Sequence, residues 1–241
     1  MKKTDFDAIA SAAQTSLSEG AFATTIVTAQ MPNEQEINSQ LKAAVLAHME
    51  ENKGVDRSNL NGWQSDPDML KGGWGGEATV AIAQLAVATC NRFSMDLKAS
   101  DQPRFEWTAD VWANVSGKGA SNNWHVHPQA FWSAVYYVDD GYEDNNNSDA
   151  GGELVFQDPR YPMNSMFSSE LVFRSPDGKP QRHTASFKPK NGMLIAFPSW
   201  LYHKVEPYLG DRQRISLAIN MTVLPARSPA KPANENRKQW R

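Results

Sequence analysis

The chain has a single cysteine, Cys90, so no internal disulfide holds it and its stability must come from a buried core. That thiol reads as a small apolar residue buried on a helix, in a reducing environment. Long hydrophobic runs are absent: residues 80–90 form the most apolar segment, far too short to cross a bilayer. Positive charge is not in excess. A net charge of −3 and a pI near 6.0 provide no basic field for nucleic acid or acidic lipid. Residues 1–7 turn acidic at once and carry no apolar stretch of the signal-peptide kind. These absences together predict a soluble, cytoplasmic protein. Histidine is also scarce, with five in 241 residues, and three of the five fall in two short aromatic-rich motifs.

What is present changes character along the chain. Residues 1–100 read mostly as helix. Thr4 with Asp7 resembles a capping box ahead of an apolar face of Phe6, Ile9, Ala10, Ala13 and Leu17. Residues 21–29 read as a strand. Asn33 with Glu36 repeats the capping pattern before a stripe of Ile37, Leu41, Ala44, Val45 and Met49, with His48 at its boundary. Residues 54–76, rich in Gly, Asn and Asp, read as a loop anchored by Trp63 and Trp74. Residues 77–93 read as a third helix, apolar all round. From Arg104 the period becomes two, giving a long strand to the Gly117-Lys118-Gly119 turn. Shorter strands are expected at 125–126, 131–138, 153–157, 171–174, 184–188, 193–197, 204–206 and 213–223, with turns such as Asn191-Gly192 between them. The acidic, Asn-rich segment 139–152 reads as a loop.

Many short strands with turn punctuation imply a jelly roll, a double-stranded β-helix with helices packed on its outside. The chain then divides into a single domain over 1–224 and a flexible tail over 225–241. Within the domain, 1–100 is mostly helical support and 104–224 the jelly-roll core.

The chemistry concentrates in Trp124-His125-Val126-His127-Pro128 and in Phe197-Pro198-Ser199-Trp200-Leu201-Tyr202-His203. Residues i and i+2 of a strand share a face, so His125 and His127 point the same way, and a paired strand can bring His203 to them. Arg214 begins an alternating strand that also carries Ser216. Three imidazoles and a fixed guanidinium suit a metal and an anionic co-substrate, because the arginine fork clamps a carboxylate through two hydrogen bonds. Imidazole alone does not choose between Fe, Zn, Cu and Ni. Trp112, Trp124, Phe131 and Trp132 are candidate walls, although aromatic residues in a barrel also serve simply as packing. His183 has no ligand-spaced partner and reads as structural or exposed.

The order of motifs resembles the Fe(II)/2-oxoglutarate-dependent dioxygenases, in particular their prolyl-hydroxylase-like branch. The resemblance rests on His125-Val126-His127, then residues 134–139 with Tyr136 and Tyr137, then Gly151-Gly152-Glu153, Pro189-Lys190-Asn191-Gly192, His203, and Arg214-Ile215-Ser216. A smaller 2OG-Fe(II) oxygenase group with His-x-His-Pro is closer still, through Asn61–Ser65, Asp158-Pro159-Arg160 and residues 197–207.

The resemblance implies Fe(II) and 2-oxoglutarate, with His125, His127 and His203 on the metal. It implies Arg214, supported by Ser216, on the far carboxylate of the co-substrate. One of Tyr136 and Tyr137, and Asn114, are further candidates there. His127 stands where the broad family has a carboxylate. Asp158 is the nearest substitute ligand, and otherwise Asp158 and Arg160 read as a structural pair or a substrate contact, with Trp124 and Trp132 beside them. The implied activity is hydroxylation of an unidentified substrate with release of succinate and CO2. The substrate could be a small molecule, an amino acid or a peptide; no nucleic acid and no membrane are expected, and a homodimer is compatible. Two other readings stay open. One is a three-histidine cupin-type metalloenzyme that does not use 2-oxoglutarate, and the other a non-catalytic jelly-roll binding module.

Overall fold

The computed structural model describes residues 21–98, 104–142, 150–163, 166, 168 and 170–226. The expected first helix over residues 4–17 and the tail beyond 226 lie outside the described residues, as does half of the acidic loop. The elements run β1 (Val27–Gln30), α1 (Glu34–Glu51), β2 (Asn59–Gln64), α2 (Gly76–Arg92), β3 (Phe105–His125), β4 (Trp132–Asp139), β5 (Leu154–Gln157), β6 (Thr184–Phe187), β7 (Met193–Pro198), β8 (His203–Val205) and β9 (Arg214–Pro225).

All nine strands join one antiparallel sheet in the order β1-β7-β4-β9-β3-β8-β5-β6, with β2 added on β3. The long β3 is what curls it. Residues 105–116 pair with β9, and the strand then continues through Gly117-Lys118-Gly119 to pair His125 with His203 on β8. The sheet therefore folds back as a half-barrel of the expected jelly-roll kind. The glycines that read as a strand end are instead a bend within one strand, where Gly119 takes a φ of 84° open to few other residues.

Strand alternation sorts the side chains cleanly. Val111, Ala113 and Val115 of β3, Ala134 and Tyr136 of β4, and Ile215, Leu217, Ile219 and Met221 of β9 pack outward against the helices. Their neighbours in sequence face inward. Tyr137, Leu154, Phe156, Ile195, Phe197 and Leu201 form a second apolar cluster between the two halves of the sheet. Burying such side chains is worth ~1.5–3 kcal/mol each, so the sheet's two faces are fixed by the sequence pattern.

Four expectations are corrected. Segment 54–76 contains β2, which pairs with β3 despite its Asn and Gly content because β3 offers an open edge there. Asn33 precedes α1 with a left-handed backbone, φ 53°, and makes no side-chain cap. A capping side chain needs an extended backbone to reach back to the first amides. The stripe that follows is nevertheless the buried face, with Leu41 and Val45 fully enclosed. α2 is not apolar all round in use: Ala78, Ile82, Ala83, Ala86 and Cys90 are buried, while Val80 is exposed. The segment 171–174 forms only one isolated bridge, Arg174 to Pro180, and no strand.

Candidate metal and co-substrate site

Three imidazoles converge at the end of β3. His125 and His203 are cross-strand partners, with ring centroids 4.3 Å apart. His127 reaches the same place from the turn after β3, not from the strand. Its backbone N–H donates to the Ser199 carbonyl at 2.9 Å, which pins the turn to the loop before β8. The three potential ligand nitrogens lie within 4.8 Å of one another, and Nε2 of His127 and His203 face each other at 3.2 Å. Two nitrogens each about 2.1 Å from one metal, at right angles, lie about 3 Å apart. The donor set thus has the spacing that a shared ion requires.

Hydrogen bonding and burial prepare these rings as ligands. Nδ1 of His125 sits 2.7 Å from the Asn123 carbonyl and Nδ1 of His203 2.8 Å from the Leu201 carbonyl. A carbonyl only accepts, so each Nδ1 carries the proton and each Nε2 keeps its lone pair for a metal. Burial lowers the basicity of all three. His125 lies below its ordinary value, with the Asn123 contact working the other way. Burial and then the neighbouring His125 take His127 to about 4, and the same pair of causes takes His203 to about 3. The rings are neutral at pH 7, so an arriving metal displaces no protons.

The same cavity, about 590 Å³, holds Arg214 and Ser216. On β9 Arg214, Ser216, Ala218 and Asn220 share the inner face, and on β3 Trp112 and Asn114 do so. Ser216 pairs in register with Asn114 on one side and Tyr137 on the other, which assembles the row expected from sequence. The register also decides between the tyrosines. Tyr137 faces inward, with the Arg214 guanidinium 5.2 Å from its ring centroid. Tyr136 faces α1 and donates to Asn38 Oδ1 at 2.7 Å. Burial pushes the Tyr137 hydroxyl up and the Arg214 charge partly offsets this, so it stays protonated and can donate.

Arg214 is 2% exposed, yet among the described residues its Nε and Nη2 have no hydrogen-bond partner, and neither does Tyr137 Oη. Among the described residues Arg214 has no carboxylate partner either. A buried unpaired guanidinium costs several kcal/mol, so these orphaned donors point to an anion as their missing partner. Gly152, at φ 81°, packs beside the fork, where a Cβ would make ordinary contact with Arg214 Cδ and Nε at 3.5 Å.

Other expected site residues fall elsewhere. Asp158 is held by Arg160, whose Nε and Nη2 donate at 2.9 and 2.7 Å, and neither residue lines the cavity. Asp158 is not part of the donor cluster. Trp124 lines the cavity, stacked on Tyr202 with centroids 5.3 Å apart. Trp132 is buried in the helix-facing core and donates to Ser94 Oγ, and Phe131 is exposed, so of the four aromatic walls only Trp112 and Trp124 serve. His183 is exposed beside Tyr161, as expected. The sequence reading missed Arg57, Ser58, Gln64 and Asn122. Ser58 Oγ accepts from Asn122 Nδ2 at 3.1 Å and lies 3.5 Å from His125 Nε2. Only the pairing of β2 with β3 brings them in, and that pairing has no apolar alternation to announce it.

The family model described as "Putative 2OG-Fe(II) oxygenase" matches residues 110–220. The expected superfamily, the Fe(II)/2-oxoglutarate-dependent dioxygenases, is thus the one that the jelly-roll segment matches. No curated protein matches the chain. Among solved structures, it is similar to a prolyl hydroxylase from Trichoplax adhaerens in complex with a hypoxia inducible factor oxygen degradation domain peptide fragment. Identity is 14%, 83% of this chain and 84% of that one are covered, and the TM-score is 0.54. The α-ketoglutarate-dependent epimerase SnoN from nogalamycin biosynthesis aligns at 10% identity over 89% and 86%, also with a TM-score of 0.54. A Pseudomonas putida prolyl-4-hydroxylase aligns at 16% identity over 83% and 92%, with a TM-score of 0.47. The two likenesses with a TM-score of 0.54 show the fold alone. No helix among the described residues is long and apolar enough to cross a membrane.

Proposed function

We propose that the protein is an Fe(II)- and 2-oxoglutarate-dependent dioxygenase that hydroxylates a small-molecule, amino-acid or peptide substrate. The observation that carries this reading is the pairing of a neutral three-imidazole donor set with buried, unpartnered donors of Arg214 and Tyr137 on adjoining strands. The donor set suits a divalent first-row ion, and the orphaned donors suit a carboxylate.

In this reading Nε2 of His125, His127 and His203 bind the metal, and the carbonyls of Asn123 and Leu201 hold two of the rings in the tautomer that does so. Arg214 takes the far carboxylate of 2-oxoglutarate, and the hydroxyls of Ser216 and Tyr137 donate to it. Asn114, beside Ser216, offers a carboxamide to the same molecule. Val135, Leu154, Val205 and Ala218 close the wall around it and exclude water. The bound Fe(II) and co-substrate supply O2 activation, with succinate and CO2 as co-products. The peptide bound by the Trichoplax enzyme on the same fold supports keeping peptides among the substrates. The ion pair with Arg160 supports His127, rather than Asp158, as the third ligand.

The test is stoichiometric metal binding. Wild-type protein should take up one Fe(II) or Mn(II) per chain under anaerobic conditions and form succinate from 2-oxoglutarate in air. His125→Ala and His203→Ala should each lose the metal while keeping the wild-type circular dichroism. Near-wild-type metal affinity in either variant would remove the proposal.

A further inference from the structure

Among the described residues, no aspartate or glutamate lines the cavity that holds the imidazoles and Arg214. Its second cation is Arg57, on the segment that leads into β2. The carbonyl of the next residue, Ser58, accepts from the Asn123 N–H at 2.9 Å, and Ser58 Oγ lies 3.5 Å from His125 Nε2. Arg57 therefore flanks the residue that reaches the donor set from this wall. Arg214 enters from a different element, opposite Ser116 on β3. The Arg57 backbone N–H is tied to Asn59 Oδ1 at 2.8 Å, which fixes the turn. Among the described residues its guanidinium has no hydrogen bond and no carboxylate.

A charge balance, resting on the function proposed above, gives this cation a role. A divalent metal, Arg214 and Arg57 bring four positive charges. The dianion of 2-oxoglutarate offsets two, and three neutral imidazoles offset none. A carboxylate ligand would remove a third, but His127 stands there. Glu206, on the segment after β8, is held by Lys204 at 2.7 Å, and Lys204 itself lies 5.2 Å from the Trp124 ring centroid. Among the described residues the wall near the metal is thus short of negative charge, and the solvent-exposed Arg57 is open to a ligand that supplies it.

We propose that the substrate carries an acid group, carboxylate or phosphate, and that Arg57 binds it. Trp112, Trp124 and Pro67 line the same cavity as the two arginines and give the substrate's body apolar contact. Arg57 determines specificity in this scheme and does not act on the reacting atoms.

The experiment titrates Mn(II)-loaded protein, saturated with 2-oxoglutarate so that Arg214 is occupied, with benzoate, phenyl phosphate and the neutral benzamide by calorimetry. At least one acid should bind about tenfold or more tightly than benzamide, the size of one charge-assisted hydrogen bond. Whichever of benzoate and phenyl phosphate binds better identifies the acid. Arg57→Ala should erase the preference and Arg57→Lys should restore part of it. Equal binding of acid and amide, no binding of either acid, or a preference that survives Arg57→Ala would overturn the inference. Wild-type protein that binds Mn(II) but not 2-oxoglutarate would instead overturn the proposed activity.

Discussion

Adjacent residues in the candidate site are separated by strand geometry, and their variants should separate as well. Tyr136 and Tyr137 are both fully buried, but one bonds Asn38 on α1 and the other faces Arg214. Tyr136→Phe should cost about 1 kcal/mol or more of stability, because Asn38 is left without its donor, and should leave 2-oxoglutarate affinity alone. Tyr137→Phe should weaken that affinity by roughly 10- to 150-fold, the worth of a hydrogen bond to a charged group, at little cost in stability. Urea denaturation and calorimetry on the two variants check this, and a reversed pattern would contradict the register of β4 on β9. His127→Asp should keep Fe(II), whereas Asp158→Ala should not lose it, and equilibrium dialysis of both settles the third ligand.

The histidines also set a pH dependence. In the unfolded chain they titrate near 6.5, whereas the fold holds His127 near 4 and His203 near 3. Below about pH 6.5 the unfolded chain takes up protons that the fold refuses, so metal-free protein is most stable above that pH and loses stability down to about pH 3. Its urea midpoint should fall between about pH 7 and about pH 5, and should fall less in a His127→Gln, His203→Gln double variant. Equal slopes in the two proteins would mean that the imidazoles are not held neutral.

At the scale of elements, β3 and its neighbours show what the residues could and could not announce. The inner face of β9, with Arg214 and Ser216, follows from strict alternation between polar and apolar positions, and its partnership with β3 and β4 follows from burial of the apolar set. The convergence of His125 and His203 was legible because both sit on strands. The position of His127 was reached by a route the alternation rule did not supply: it lies past the end of β3, held by Ser199. β2 was hidden because its two apolar residues, Leu60 and Trp63, are three apart and so make no period-two apolar face, and with it went Arg57, Ser58 and Gln64. The glycines that follow β4 and precede β5 are where the elements meet closely. Gly141, at φ 80°, would place a Cβ against the Tyr208 hydroxyl and 3.1 Å from Arg214 Cβ. Tyr208 also donates to the Gly141 carbonyl at 2.6 Å. Gly141→Ala should therefore destabilise the protein by about 1–3 kcal/mol and weaken 2-oxoglutarate binding together, which thermal melts and calorimetry would show. Loss of stability with unchanged co-substrate affinity would mean that Arg214 does not need this clearance.

At the scale of the whole molecule, the change of period near Arg104 was enough to read a jelly roll with helices outside it, because burial on two faces demands that pattern of a curled sheet. The depth of the site was not in the pattern, since it depends on which loops cover it. The account stands on Arg214 facing a carboxylate in the same cavity as the three imidazoles. The direct measurement is an anaerobic titration of Fe(II)-loaded protein with 2-oxoglutarate, followed by the metal-to-ligand charge-transfer absorbance. Removing one partner of a buried charge-assisted pair costs ~2–5 kcal/mol, so Arg214→Ala should weaken the midpoint by roughly 30- to 5,000-fold while Fe(II) affinity holds. Arg214→Lys should recover only part of the loss, because a point charge does not reproduce the fork. An unchanged midpoint in Arg214→Ala, or no charge-transfer band in the Fe(II)-loaded wild type, would contradict the account and favour a three-histidine metalloenzyme that does not use 2-oxoglutarate.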